Sequence, residues 1–212
     1  MPSKDDRDIM VIQREILFAV EAYFIGFRGV WDAPEPGYAT RVNKHHEFMR
    51  RGDAEIHSSY KQPIPFLVPV RRRTNEVFTS KYQGQEERLR GQMVIASMGH
   101  IERCDMPSSD PILDAAEREL HEELLITGSK GRIIPVPFGY LNIEDDHAGK
   151  FHFGFVYLIL ADGLEIRAND DSIANPKFEK ISELEEKCKT GEVKLDSWSA
   201  ATIPELRSYL EN

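Results

Sequence analysis

The chain has 212 residues, of which 41% are apolar and 30% charged, a composition typical of a globular protein with one substantial core. Its net charge of −9 argues against a nucleic-acid polymer as a partner, because binding to a nucleic-acid backbone requires a basic surface. The sequence has two cysteines without metal-ligand spacing, no signal-peptide pattern and no apolar run long enough to span a bilayer. We therefore expect a cytoplasmic protein without disulfides that has no membrane partner.

Residues 1–60 are predicted to form an extension that packs on the rest of the chain. Asp8–Arg14 is predicted to be a strand, and Glu15–Phe27 is an apolar segment in which a helix is slightly favoured. Arg41–Arg51 is predicted to be a basic helix that ends at Gly52. The apolar segment is too small to bury itself, so this extension is not expected to fold alone. The sequence neither indicates nor excludes a homodimer that forms partly through this extension.

From residue 61 onward, strand and helix patterns alternate. Residues 61–73 and 75–83 are rich in β-branched and aromatic side chains, which predicts two strands joined by a turn at Thr74. Arg71, Arg72, Arg73 and Lys81 form a small basic cluster near the ends of these strands. Two interpretations of this cluster have equal weight: its side chains are solvated at the strand ends, or they contact the phosphates of a substrate. Residues 92–97 are predicted to form a short strand that leads into Gly99.

A helix rich in carboxylates follows, with Asp110 as its N-cap and Pro111 at its first position. Glu119, Glu122 and Glu123 lie at positions i, i+3 and i+4, so they share one face and repel one another. Residues 118–126 contain no lysine, whereas Glu183 and Glu185 in the later run of residues 182–189 have lysines at i+4. A solvated surface helix is the simpler interpretation. Clustered carboxylates without local cations, however, favour a hard divalent ion such as Mg²⁺ or Mn²⁺.

The C-terminal part is predicted to contain further strands and two helices. Residues 132–141 and 150–161 are predicted to be strands, and they flank an acidic loop that contains Glu144, Asp145 and Asp146. Helices are predicted near residues 181–189 and over residues 197–210, the second anchored by Trp198 and Leu206. This order of elements predicts an α/β fold with one mixed β-sheet between helices.

The segment from Arg118 to Ile126, RELHEELLI, resembles the helix of the Nudix box, G-x5-E-x7-R-E-U-x-E-E-x-G-U, in which U is apolar. Gly99 and Asp105, with five residues between them, resemble the opening G-x5-E. The chain departs from the pattern by the aspartate at 105, by Leu125 in place of glycine, and by twelve rather than seven residues before Arg118. The stretches YKQPIPF at residues 60–66 and MGHIERCD at residues 98–105 are similar to a Nudix subgroup described as predicted phosphoesterases.

The resemblance implies a Nudix-type α/β/α sandwich over residues 61–212. It implies a hydrolase that splits the diphosphate bond of a small-molecule nucleoside diphosphate–X or a related diphosphate. The metal, Mg²⁺ or Mn²⁺, would be held by Glu119, Glu122, Glu123 and the backbone carbonyl of Gly99. In such a site Arg118 would orient the carboxylates and pair with Asp105. Glu144, Asp145 and Asp146 would be candidates for a further ligand or a general base. The catalytic candidates are Arg118, Glu119, Glu122, Asp145 and Asp146.

Two other functional classes stay open from the sequence. A Nudix fold can sense a nucleotide or metabolite without turning it over, and it would then bind nucleotide equally well with and without Mg²⁺. A structural or interaction protein with a solvated acidic helix would bind no divalent metal. The presence of all three glutamates of the box favours the enzyme over both. The sequence does not specify the group attached to the diphosphate.

Overall fold

The computed structural model describes residues 4–19, 22–84, 90–106, 109–128, 131–145 and 149–212. Its strands are β1 (Asp8–Gln13), β2 (Gly26–Gly29), β3 (Glu47–Arg50), β4 (Tyr60–Arg71), β5 (Glu76–Tyr82), β6 (Met93–Val94), β7 (Ser97–Met98), β8 (Leu124–Thr127), β9 (Val136–Asn142), β10 (His152–Leu160), β11 (Glu165–Ala168) and β12 (Ile173–Lys180). Its helices are α1 (Arg14–Phe18), α2 (Tyr38–His45), α3 (Arg51–Ala54), α4 (Pro111–Glu123), α5 (Ile181–Lys189) and α6 (Ser197–Glu211). Within these described ranges, no helix has the length and apolar character needed to cross a membrane.

The chain divides into two compact units. The first unit consists of Met1–Phe66, Met98–Arg118 and Pro137–Val156, and the second consists of Leu67–Ser97, Glu119–Val136 and Tyr157–Asn212. The predicted N-terminal extension therefore belongs to the same unit as the first residues of β4. Helix α4 begins in the first unit, and its last five residues belong to the second.

The first unit is built on short antiparallel strand pairs around an aromatic core. Strand β1 pairs with β3 along its length and with the start of β4 at its end, while β2 pairs with β9. The buried ring of Phe153 lies 5.1 Å from the ring of Tyr38 and 5.7 Å from that of Phe18, measured between centroids. Phe24 completes this cluster, with its ring 6.0 Å from that of Phe153. Rings from the N-terminal segments thus bury the first half of β10.

Two helices predicted in the N-terminal segments are wrong in their extents. The helix expected over residues 15–27 ends at Phe18, and Gly26–Gly29 forms strand β2, whose first residue has a φ of +98° that suits glycine. The helix expected over residues 41–51 is α2, which begins at Tyr38 and ends at His45. Residues 47–50 form β3 instead, because pairing with β1 satisfies their backbone groups and outweighs helix propensity.

The second unit contains strand pairs around β5 and the two C-terminal helices. Strand β5 pairs antiparallel with β12, with the end of β4 and with β6, and an isolated bridge between Met93 and Leu195 is parallel. Helix α5 has the predicted bounds, and α6 begins at Ser197 as predicted. The buried side chains of Trp198 and Leu206 confirm that they anchor α6. The predicted α/β content with a mixed pattern of strands is confirmed.

Helix α4 begins at Pro111 as predicted but ends earlier than the sequence pattern suggested. The Asp110 carboxylate accepts a hydrogen bond from the backbone N–H of Leu113 at 3.2 Å, so it is the N-cap. The helix ends at Glu123, and Leu124–Thr127 forms β8, which pairs with β11. Strand pairing therefore replaces the last helical turn that was expected at residues 124–126.

Candidate active site

Arg118 and Asp105 of the predicted site form an ion pair with two hydrogen bonds between their side chains. Nε and one terminal nitrogen of Arg118 donate to the two carboxylate oxygens of Asp105 at 2.8 and 2.9 Å. The same terminal nitrogen donates to the backbone carbonyl of His100 at 2.8 Å. Asp105 is 3% exposed, and the bidentate contact compensates the burial of its charge. The contact that the resemblance implied between these two residues is present in the structure.

The loop between Gly99 and Met106 is held from two sides within the first unit. The backbone N–H of Glu102 donates to the Asp105 carboxylate at 2.7 Å, and a short 3-10 turn spans residues 103–105. The backbone N–H of Met10 in β1 donates to the carbonyl of Ile101 at 2.8 Å. Asp105 therefore fixes both the loop and Arg118, which explains how an aspartate serves where the box pattern has glutamate.

A glutamine lies between two imidazoles at the start of this loop. Oε1 of Gln62 in β4 lies 2.8 Å from Nε2 of His100 and 3.1 Å from Nε2 of His152. Gln62 is fully buried, and the two imidazole centroids are 5.5 Å apart. Burial, followed by the proximity of His152, holds the pKa of His100 well below its ordinary value of 6.5. Both imidazoles donate to the amide oxygen, since an amide oxygen only accepts.

Glu144, in the acidic loop, contacts two cations of the first unit. Arg14 donates to its carboxylate, and Nζ of Lys61 lies 3.2 Å from the same oxygen. Burial alone would raise the pKa of Glu144, but the charge of Lys61 and the hydrogen bond from Arg14 lower it. Burial lowers the pKa of Lys61 to about 8. Asp145 is exposed, and Asp146 lies outside the described residues.

The three glutamates of α4 that were predicted to bind metal differ in exposure. Glu119 is 9% exposed, Glu123 is partly buried and Glu122 is exposed. The end of the helix is capped by Asn169, whose Nδ2 donates to the carbonyls of His121 and Glu122 at 3.1 and 3.2 Å. Because Asn169 directly follows β11, the pairing of β11 with β8 brings this cap to the helix end.

The donor chemistry of this helix fits a hard divalent ion, since three carboxylates lie within five consecutive residues. In the part of the chain that the structure describes, however, no three His, Cys, Asp or Glu side chains are grouped closely enough to hold a metal. The sequence prediction of the ligands Gly99, Glu119, Glu122 and Glu123 thus stays a prediction. The helix supplies the right donor type without a preformed ligand cage.

The basic cluster near the ends of β4 and β5 has structural contacts. The guanidinium of Arg71 lies 3.8 Å from the centroid of the Phe178 ring and donates to the carbonyl of Leu164 at 3.0 Å. The backbone N–H groups of Arg72 and Arg73 both donate to the carboxylate of Asp162 at 3.1 Å. These contacts explain the side chain of Arg71 and the backbone of Arg72 and Arg73, and binding of a phosphate by the cluster stays a prediction.

Four residues of the site region could not be assigned from sequence patterns. Lys61 and Gln62 lie in a strand rich in apolar residues, where their partners come from distant segments. Asn169 lies in a polar turn, and its role as a cap depends on the pairing of β8 with β11. The sequence pointed to His100 only through the similarity of the stretch MGHIERCD to a Nudix subgroup.

The chain has a relative of nearly equal length in Bacillus subtilis (strain 168). It is 30% identical to protein YmaB over 209 residues, which cover 94% of this chain and 97% of that protein. Profiles of known protein families do not match the chain.

Solved structures with the same fold are Nudix proteins. Tm1382, described as a candidate Nudix hydrolase, is 20% identical, with a TM-score of 0.75 over 95% of this chain and 99% of its own. A bifunctional NMN adenylyltransferase/ADP-ribose pyrophosphatase from Francisella tularensis, crystallised with AMP and a manganese ion, is 15% identical. Its TM-score is 0.52, over 71% of this chain and 42% of its own. The predicted fold class, the Nudix α/β/α sandwich with a mixed sheet, is confirmed.

Proposed function

Because the chain belongs to the family of protein YmaB and has the fold of the Nudix superfamily, we propose that it is a divalent-metal-dependent hydrolase of diphosphate bonds. The substrate class is a nucleoside diphosphate linked to a further group, or a related small-molecule diphosphate in the cytoplasm. The observation that carries the proposal is the bidentate pair of Arg118 with Asp105, directly followed in the chain by the glutamates of the box.

The chemistry requires that negative charge on the substrate be neutralised. A diphosphate repels an attacking water, and bound divalent metal would neutralise the phosphate oxygens and lower the pKa of that water. Glu119, Glu122 and Glu123, with the carbonyl of Gly99, are the proposed ligands. Manganese in the Francisella structure and the all-oxygen donor set both support Mg²⁺ or Mn²⁺ here.

The residues around the ligands have supporting roles in this proposal. Arg118 has two contacts to Asp105 and one to the carbonyl of His100, so it orients the start of the segment that carries the carboxylates. Asn169 fixes the other end of that segment through the carbonyls of His121 and Glu122. Asp145 and Asp146 stay the proposed candidates for a general base, since a free carboxylate in reach can accept the proton.

A substrate screen tests the proposal. The purified full-length protein would be assayed with nucleotide sugars, dinucleotides, nucleoside triphosphates and non-nucleotide diphosphates, each with Mg²⁺ or Mn²⁺. We expect release of phosphate or a mononucleotide from at least one class, and its loss when the metal is chelated. Tight nucleotide binding that is equal with and without metal, with no hydrolysis in any class, would contradict the proposal and favour a sensor.

A further inference from the structure

Two separate sequence stretches that resemble the phosphoesterase subgroup meet in the first unit through one hydrogen bond. Gln62 comes from YKQPIPF, and His100 comes from MGHIERCD. The bond of 2.8 Å between Oε1 of Gln62 and Nε2 of His100 joins strand β4 to the loop that begins at Gly99. The proposed function uses Gly99 and Asp105 of the second stretch, but it gives no role to Gln62 or to the imidazole of His100, so this contact needs an explanation of its own.

The contact continues as an unbroken chain of hydrogen bonds to the helix. The backbone carbonyl of His100 accepts from Arg118, Arg118 holds Asp105 with two bonds, and Asp105 accepts from the backbone of Glu102. Every bond in this chain measures between 2.7 and 2.9 Å. A shift of the His100 backbone would therefore move Arg118 and the carbonyl of its neighbour Gly99 together.

Packing alone does not explain an amide at position 62. The side chain is fully buried, and its Nε2 has no hydrogen-bond partner among the described residues. An unsatisfied buried donor costs free energy that an apolar side chain of similar shape would avoid. Its oxygen, by contrast, accepts from both His100 and His152, and His152 is held in turn through its backbone carbonyl by Lys61 at 3.2 Å. The useful part of Gln62 is thus the oxygen that orients the two imidazoles.

We propose that Gln62 is a positioning residue of the hydrolase, which fixes the Gly99–Asp105 loop through the side chain of His100. The inference rests on the proposed function, because the loop carries the Gly99 carbonyl and the partner of Arg118. Residues that orient metal ligands through hydrogen bonds lower metal affinity or activity about 10- to 100-fold when they are removed. Gln62 does not touch the substrate in this proposal, so its effect is on metal binding and turnover rather than on substrate affinity.

The test compares Gln62→Met with Gln13→Met in the full-length protein. Gln13 also lies in the first unit, but its Nε2 donates to Glu47 at 3.2 Å rather than to a side chain of the loop. We expect Gln62→Met to raise the dissociation constant of Mn²⁺ alone, measured by calorimetry, by about tenfold or more, while Gln13→Met leaves it unchanged. On the substrate found by the screen, kcat should fall with little change in KM. Nitrogen chemical shifts should show His100 and His152 protonated on Nε2 in the wild type, and this preference should be lost in Gln62→Met.

Each outcome decides the inference. If Gln62→Met and Gln13→Met bind Mn²⁺ and turn over substrate alike, Gln62 has no positioning role, although the proposed function still holds. If the wild type neither binds Mn²⁺ nor hydrolyses any diphosphate, the proposed function fails and the inference fails with it. Should Gln62→Met not fold, His100→Phe breaks the same bond from the other side and must give the same weakening of Mn²⁺ binding.

Discussion

Individual carboxylates in this chain have very different surroundings. Asp105 and Glu179 are almost fully buried, and each contacts cations, Arg118 in one case and Lys177 and Lys187 in the other. Such pairing compensates the loss of hydration that burial imposes on a charge. Glu122 is exposed, at the end of a helix where two other glutamates are near in sequence. The two buried carboxylates are thus held by ion pairs inside the fold, whereas the exposed Glu122 can be reached by a ligand from solvent.

Replacing Glu122 by glutamine should separate metal binding from stability. In metal-free buffer, Glu122→Gln removes one charge from a repelling cluster, so the free energy of unfolding should be unchanged or raised by a few tenths of a kcal/mol. With Mg²⁺ or Mn²⁺ the wild type should gain about 2.7 kcal/mol at a metal concentration 100 times the dissociation constant. The variant should gain much less, and its hydrolysis should fall by orders of magnitude. Thermal melting with and without metal measures the first effect.

Glu186→Gln is the matched control, because Glu186 is an exposed glutamate on helix α5 of the same unit. It should change neither the response to metal nor the activity. Glu185 on the same helix is less suitable as a control, because Arg207 of α6 contacts its carboxylate at 2.8 Å. Identical behaviour of Glu122→Gln and Glu186→Gln would mean that the carboxylates of α4 bind no metal.

The buried ammonium of Lys61 predicts a specific dependence of stability on pH. Its pKa is about 8 in the folded protein and ordinarily 10.5, so between these values the unfolded chain binds more protons. Stability therefore rises with pH through this window, and the gain is lost as pH falls through 8. At 1.36 kcal/mol per pKa unit, the full effect is about 3 kcal/mol.

Denaturant unfolding of the wild type and of Lys61→Met from pH 7 to pH 10 measures this effect. The difference in the free energy of unfolding should move in favour of the wild type as pH rises, because methionine does not titrate. The variant also loses the hydrogen bonds from Nζ to the carbonyls of Gly149 and His152, which shifts the difference by a constant amount. A difference that stays flat across this range would show that Lys61 keeps its ordinary pKa.

Secondary-structure elements were predictable where the sequence pattern was long and local. Helix α5 has a clear polar and apolar periodicity, and α6 carries the apolar anchors Trp198 and Leu206. The strands β4, β5 and β10 are apolar runs with turn residues between them. The short strands β3 and β8 were not predicted, because they depend on pairing with β1 and β11 from elsewhere in the chain. The helix and its glutamates could thus be located from sequence, whereas the partners Gln62 and Asn169 depend on tertiary contacts.

The end of α4 is the element whose stability matters most to the proposed site. Asn169→Ala removes the two side-chain hydrogen bonds to the carbonyls of His121 and Glu122 but keeps the backbone bond to Glu123. We expect a loss of about 1 kcal/mol in the free energy of unfolding and faster amide exchange in the last turn of the helix. Affinity for Mn²⁺ should fall as well, because the fraying turn carries two proposed ligands.

Asn212→Ala is the control for this change, since Nδ2 of Asn212 donates to the carbonyl of Ser208 at the end of α6. It removes a similar contact at a helix end away from the glutamates, and it should leave Mn²⁺ affinity unchanged. If the two variants weaken Mn²⁺ binding equally, or neither does, Asn169 has no particular role in supporting the carboxylates.

The molecule as a whole does not divide where the sequence changes in character. The pattern of strands changes at residue 61, but the first unit combines Met1–Phe66 with two later segments. Its aromatic core joins Phe18, Phe24 and Tyr38 from the N-terminal part to Phe153 of β10. Sequence patterns report local structure. They could therefore mark the start of the strand-rich region at residue 61, but they could not show which later segments share a core with residues 1–60.

We therefore predict that residues 1–60 are needed for the first unit to fold. Removing them deletes β1 from its pairing with β4 and takes three aromatic side chains from around Phe153. Truncating one buried aromatic residue costs about 3–5 kcal/mol, and a whole domain is typically stable by only about 5–15 kcal/mol. A chain of residues 61–212 should unfold in urea at a lower midpoint and with a smaller m-value, because less surface is buried in its folded state. A chain that begins at Asp8 keeps β1 and should behave like the full-length protein. If residues 61–212 alone unfold with the midpoint and m-value of the full-length protein, the N-terminal segments are an appendage and this prediction is wrong.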